Sequence, residues 1–196
     1  MRDGRRPKKL PTVLTDEELV RYLGSFDQKD ESERRNYLVV KLMADTGLRI
    51  SEALNLKVND LDFDSGKALV REGKGKVDRY IFLSEEDASL IMAWLKSRLV
   101  KSPLVFCTSS GLTIRPSYFW EVVKRHAVTA GIKKSIHPHT MRHSFATSLY
   151  RQTKDIRLVQ KALAHQDISV TMIYTHIEDS ELEAAMKNLR TQGVKT

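Results

Sequence analysis

The chain has 196 residues and a net charge of +8, with 41% hydrophobic and 30% charged residues. This length suits one domain with a real core, or two small ones. No apolar run approaches the ~20 residues needed to span a bilayer, and no apolar stretch follows the basic N-terminus as a secretory signal requires. The single cysteine, Cys107, excludes an internal disulfide framework and suits a reducing cytoplasm, the expected location.

Residues 1–9 carry five Lys/Arg against one Asp, a net +4 that is half of the total charge. Residues 1–11 therefore read as a basic arm or linker, and charge alone argues only modestly for nucleic acid. From Leu14, "LTDEELVRYL" predicts a helix capped by Thr15 or Asp16, with Leu19, Val20 and Leu23 as its apolar face. A second helix is predicted over 33–45, with Leu38, Val39, Leu42 and Met43 at core spacing. Thr46-Gly47 breaks it, and Ile50, Ala53 and Leu54 begin another. Two β-prone runs, 67–72 and 77–83, flank the turn Gly73-Lys74-Gly75-Lys76 and predict a hairpin. Helices then follow over 85–99, 116–130, 139–152, 155–164 and about 179–190. There is no internal repeat. The expected class is α+β, mainly α-helical with a small antiparallel β-sheet.

Three stretches resemble ligand motifs and fail on chemistry. "DLDFDSG" (60–66) alternates acids like a calcium loop, but Ser65 and Arg71 stand where glycine and a bidentate glutamate are required, so it reads as a solvated turn. "GKGK" lies between two strands rather than opening a helix, so it is no P-loop. In "IHPHTMRHS", His137, His139 and His143 have metal-like spacing, yet Arg142 would repel a dication. His139 and Arg142, one turn apart, read better as two donors to an anion.

A phosphodiester needs several donors around its oxygens as charge develops. Arg49, with Glu52 one turn later to orient it, joins His139, Arg142, His165 and Tyr174 as candidates. The blocks "TGLRISEALNL", "HPHTMRHSFATSL" and "LVQKALAHQDISVTMIYTHI" resemble, in order and spacing, those of the tyrosine recombinase (phage integrase) catalytic domain, over about 12–190. Where that family usually has Leu-Gly-His, this chain has Leu163-Ala164-His165, a mild change within the predicted helix 155–164.

The resemblance implies a catalytic domain over 12–196 and a recombinase that cuts and rejoins DNA through a 3′-phosphotyrosine. Tyr174 would attack the phosphate, with His139 as proton acceptor. Arg49 and Arg142 would clamp the non-bridging oxygens, and His165 would donate a further hydrogen bond. Lys74 would protonate the departing 5′-oxygen. Because the bond is stored on tyrosine, no metal, ATP or other cofactor is expected. Lys76, Arg79, Lys124, Arg125, Lys133 and Lys134 are candidate contacts to the DNA backbone. His137, His143 and His176 read as structural or DNA-facing, and Tyr118, Phe119 and Trp120 as core.

Double-stranded DNA is the expected partner, bound by a homotetramer. Leu182, Ala185, Met186 and Leu189 give a terminal helix an apolar face that would dock on a neighbouring subunit or on its own core. Family members carry an N-terminal core-binding domain, and "RRPKKLPTVLTDEEL" looks like the linker after it, so a shortened form of a longer protein is expected. Alternatives are type IB topoisomerase-like relaxation, a non-catalytic DNA-binding protein on the same fold, and a metal-dependent hydrolase.

Overall fold

The computed structural model describes residues 10–71 and 78–164. Helix α1, Asp16–Leu23, starts where Thr15 and Glu18 cap each other: the Thr15 hydroxyl accepts the Glu18 N–H at 3.2 Å, and the Glu18 carboxylate accepts the Thr15 N–H at 2.8 Å. Its buried side chain is Tyr22, whereas Val20, expected inside, is 70% exposed. Asp30 caps α2, Glu31–Thr46, which ends at Gly47 in the left-handed conformation. A five-residue helix α3, Ile50–Leu54, follows at once.

A single helical turn then leads into a three-stranded antiparallel sheet, β1 Leu61–Asp62, β2 Lys67–Val70 and β3 Arg79–Phe82, in the order β1-β2-β3. The expected hairpin is the β2–β3 pair, with Lys67 opposite Phe82 and Val70 opposite Arg79. Strand β1 was not foreseen, because two residues are too few to show alternation. The acidic stretch 60–66 spans β1 and the turn, 63–66, between β1 and β2. Asp62 accepts the N–H and hydroxyl of Ser65, while buried Asp60 accepts a forked pair from Arg71 at 2.7 and 2.9 Å. The residue that spoils the calcium pattern thus neutralises its first acid.

Helices α4 (Glu85–Ser97), α5 (Pro116–Thr129), α6 (Pro138–Thr153) and α7 (Ile156–Leu163) complete the fold. Helix α2 is the hub, packing on α1, α3, α4 and α6 and burying Leu38, Val39, Leu42 and Met43. Its Lys41 is buried and holds Asp45 at 2.7 Å, reaching Glu86 and Asp87 on α4. Of the three aromatics on α5, Phe119 is fully buried and Tyr118 accepts a hydrogen bond from Asn36. Trp120 departs from the core reading: it is 44% exposed and stacks on His137. A second, smaller apolar cluster seats α7 on α6 through Ala146, Val159 and Leu163, flanked by Phe145, Leu149 and Tyr150. Among the described residues no helix is long and apolar enough to cross a membrane.

Candidate active site

The loop Gly47-Leu48-Arg49 between α2 and α3 presents the first candidate. Gly47 has φ +69°, and a Cβ there would stand 2.5 Å from Phe145 Cδ1 and 2.9 Å from Leu163 Cδ2. Both the backbone conformation and the close approach of α6 and α7 require glycine. Glu52 then reaches back from α3 to the Arg49 N–H at 2.8 Å and holds its guanidinium at 2.6 Å. The expected orienting role of Glu52 thus has a geometry.

Glu52 also holds a second guanidinium. Arg79, at the start of β3, donates to it at 2.7 and 3.2 Å. Burial by itself would push the Glu52 carboxyl up, but the Arg79 and Arg49 hydrogen bonds and the Arg79 charge outweigh it and hold it at about 2. Arg79 was expected on the DNA-facing surface. Its side chain is instead 11% exposed and turned inward with Ile81, while Tyr80 and Phe82 face solvent.

Arg142 departs from expectation in a different way. It does not stand beside His139 on an open helix face; it is 4% exposed, directed inward from α6. Its two terminal nitrogens donate to the Gly47 carbonyl at 2.5 Å and the Leu163 carbonyl at 2.6 Å. One guanidinium therefore ties the loop before Arg49 to the end of α7, two residues before His165 in sequence. Carbonyl dipoles at Gly47 and Leu163 orient it.

His139 lies in the first turn of α6, which opens with Pro138 after the extended residue His137. Its ring is exposed, with the edge of His137 at 6.0 Å, and His137 in turn stacks on Trp120 at 5.5 Å. Partial desolvation lowers the His139 pKa below the ordinary 6.5, and the charges of Arg142 and Arg49 act in the same direction. The imidazole is therefore neutral at pH 7 and able to accept a proton. Among the described residues no group of three or more His, Cys, Asp or Glu side chains could hold a metal ion.

Ala164 ends α7 with φ 50° and ψ 44°, so it is a left-handed cap and not a helical residue. The alanine that looked mild for helix propensity occupies the one position where glycine is preferred for its backbone. Lys124 and Lys133 are exposed. Arg125 is paired with Glu33 at 2.6 Å and Lys134 with Glu18 at 2.6 Å; such surface pairs are worth ~0–1 kcal/mol and exchange readily for phosphate. Lys74, Lys76, His165, Tyr174 and His176 lie outside the described residues, as do the arm at 1–9 and the apolar face at 182–189.

Residues 12–181 match the phage integrase family. The chain belongs to that family. It is 36% identical over 193 residues to a tyrosine recombinase of Pseudothermotoga lettingae, covering 98% of this chain and 66% of that protein. Tyrosine recombinase XerA of Pyrococcus furiosus is 38% identical over 190 residues, covering 95% of this chain and 65% of that protein. The chain thus spans just under two thirds of the length of these curated relatives. Among solved structures, XerH site-specific recombinase bound to its palindromic difH substrate after cleavage superposes with a TM-score of 0.79 at 36% identity. That match covers 91% of this chain and 53% of that one. Gly47, Arg79 and Ala164 are the residues whose part in the site comes from the structure: a close approach, an inward ion pair and a left-handed cap. Strand alternation, which gives Arg79 the parity of Ile81, and the family glycine at 164 were the signals that could have found two of them.

Proposed function

We propose that this chain is the catalytic part, over 12–196, of a site-specific recombinase that cuts and rejoins double-stranded DNA by metal-independent transesterification. The observation that carries this reading is the Arg142 clamp. A buried cation bonded to the carbonyls of Gly47 and Leu163 draws together the backbone of the first and third motif blocks, with His139 one turn away on its own helix.

A phosphate entering between Arg49 and Arg142 has its non-bridging oxygens stabilised by guanidinium donors as charge builds. The Tyr174 hydroxyl, with an ordinary pKa near 10, needs a base, and neutral His139 serves as that base. Tyr174 attacks phosphorus, the bond to the 5′-oxygen breaks, and Lys74 protonates that oxygen. His165 adds a donor to the transition state. Reversal with a new 5′-hydroxyl rejoins the strand, so no high-energy cofactor is consumed. In this reading four copies assemble on DNA through the terminal helix in the cytoplasm. Lys76, Lys124, Arg125, Lys133 and Lys134 hold the phosphate backbone.

The test is a nicked suicide DNA substrate incubated with the chain in excess chelator. A covalent protein–DNA adduct is expected, absent in Tyr174→Phe. An adduct that forms only with added divalent metal, or that survives in Tyr174→Phe, contradicts the proposal. Joined products from a synthetic four-way junction favour strand exchange over simple relaxation.

A further inference from the structure

Glu52 is only 8% exposed and lies between two guanidinium groups, Arg49 at 2.6 Å and Arg79 at 2.7 Å. The geometry points to Arg79 as a positioning residue, one that neutralises Glu52 so that Arg49 keeps its charge for phosphate and that pins β3 to the start of α3. This inference rests on the phosphoryl-transfer reading above.

The argument is one of charge and reach. A carboxylate at 2.6 Å offsets most of the attraction a guanidinium exerts on a second anion, because both anions act on it at similar range. Arg49 and Glu52 alone sum to zero. With Arg79 added, the three groups sum to +1. Arg79 is 11% exposed, while Arg49 is 30% exposed, so of the two guanidinium groups that share Glu52 it is Arg49 that faces outward. A forked pair from Arg79 to both carboxylate oxygens also fixes the carboxylate plane, and with it the direction of the Arg49 side chain.

The position of Arg79 adds a mechanical link. It pairs with Val70 at the connected end of the β2–β3 ladder, the last register before the segment that carries Lys74. The Glu52 ion pair therefore anchors that end of the hairpin to the helix that presents Arg49. Arg79 reaches the phosphate through Glu52 and Arg49 rather than by touching it.

The test is a double-variant cycle on the suicide substrate under single-turnover conditions. Arg79→Met leaves Glu52 to neutralise Arg49 and is expected to slow adduct formation about 100-fold. Adding Glu52→Gln removes the unbalanced carboxylate, and the double variant is expected to recover at least tenfold of that loss. A double variant as slow as Arg79→Met, or slower, overturns the inference. So does a smaller salt dependence of DNA binding in the Arg79→Met, Glu52→Gln double variant on a Tyr174→Phe background: that variant keeps the charge on Arg49, so the loss would make Arg79 a direct phosphate contact.

Should Arg79→Met fail to fold, Arg79→Lys and the double variant carry the test, since both keep a sum of +1. Rates within tenfold of the unaltered chain support the inference, and losses as deep as that of Arg49→Ala in both overturn it. If the unaltered chain forms no adduct, the recombinase reading fails on its own. The Glu52 carboxyl, followed by carbon NMR, then still decides the charge balance: its pKa should rise by a unit or more in Arg79→Met, and an unchanged value overturns the inference.

Discussion

Arg49 stands at the start of α3 with a carboxylate 2.6 Å away, whereas Arg142, on α6, donates to the carbonyls of Gly47 and Leu163. The same functional group is oriented by opposite means. A carboxylate fixes a guanidinium strongly but cancels its charge, so a second cation, Arg79, is needed beside it. Neutral carbonyls fix it through dipoles, at the cost of tying two distant loops to one side chain. Arg49 is therefore an electrostatic balance, and Arg142 is an electrostatic and mechanical hub.

The largest expected effect breaks the hub. Arg142→Ala should slow adduct formation about 1,000-fold, as loss of a principal oxyanion donor does, and also lower stability by ~3 kcal/mol, because two carbonyls lose a charged donor. Urea denaturation beside the single-turnover assay separates the two losses. Arg142→Lys keeps the charge but cannot fork between Gly47 and Leu163, so most of the stability loss should persist. Full stability in Arg142→Lys would remove the mechanical half of the comparison.

Gly47→Ala attacks the same hub from the loop side. A left-handed alanine costs ~1–2 kcal/mol and overpacking against Phe145 and Leu163 about 1–3 kcal/mol more, so urea denaturation should show a combined loss near ~3 kcal/mol. A loss under ~1 kcal/mol would mean that α6 and α7 do not press on this loop as described.

Proton linkage sharpens the comparison more gently. His139 has its pKa lowered by desolvation, by His137, and by both arginines, with Arg142 the stronger of the two. Adduct formation should hold level from pH 8 down to about 6.5 and fall only below that, as the base becomes protonated. Ring titration by NMR should then show a higher His139 pKa in Arg142→Gln, and a smaller rise in Arg49→Gln. The reverse order would mean that Arg49, despite Glu52, carries the larger effective charge. Stability follows the same sign. His126, His137 and His139 all have lowered values, so the unfolded chain binds more protons near pH 6 and stability should decline as pH falls from 7 to 5.

The smallest effect concerns α7. Replacing left-handed Ala164 by glycine relieves backbone strain of ~1–2 kcal/mol but adds unfolded-state entropy of ~0.4–1 kcal/mol. A net gain of about 0.5–1 kcal/mol in urea is expected. Destabilisation would show that the cap is not strained.

Much of the helical framework was readable because local signals agree. Thr15 with Glu18, Asp30 with Glu33 and Ser84 with Asp87 mark helix starts by residues three apart, and Gly47 marks a stop. The motif residues Arg49, Glu52 and Arg142 could be named, but the direction of a side chain is a tertiary property. Residue spacing places His139 and Arg142 on adjacent turns of α6; it does not say that α2 and α7 close over Arg142 and leave His139 open. Arg79 was misread because basic residues near a hairpin suggest a DNA surface, although its parity with Ile81 pointed inward. Ala164 was misread because alanine favours helix, although the family glycine at that position pointed to a left-handed cap.

The most direct test of the account is to identify the residue joined to DNA. After trapping on the suicide substrate in chelator, nuclease and protease digestion followed by mass spectrometry should place a 3′-phosphonucleotide on Tyr174, with a free 5′-hydroxyl on the released strand. A nucleotide attached to any other residue, or a 5′-phosphate on the released strand, would contradict it.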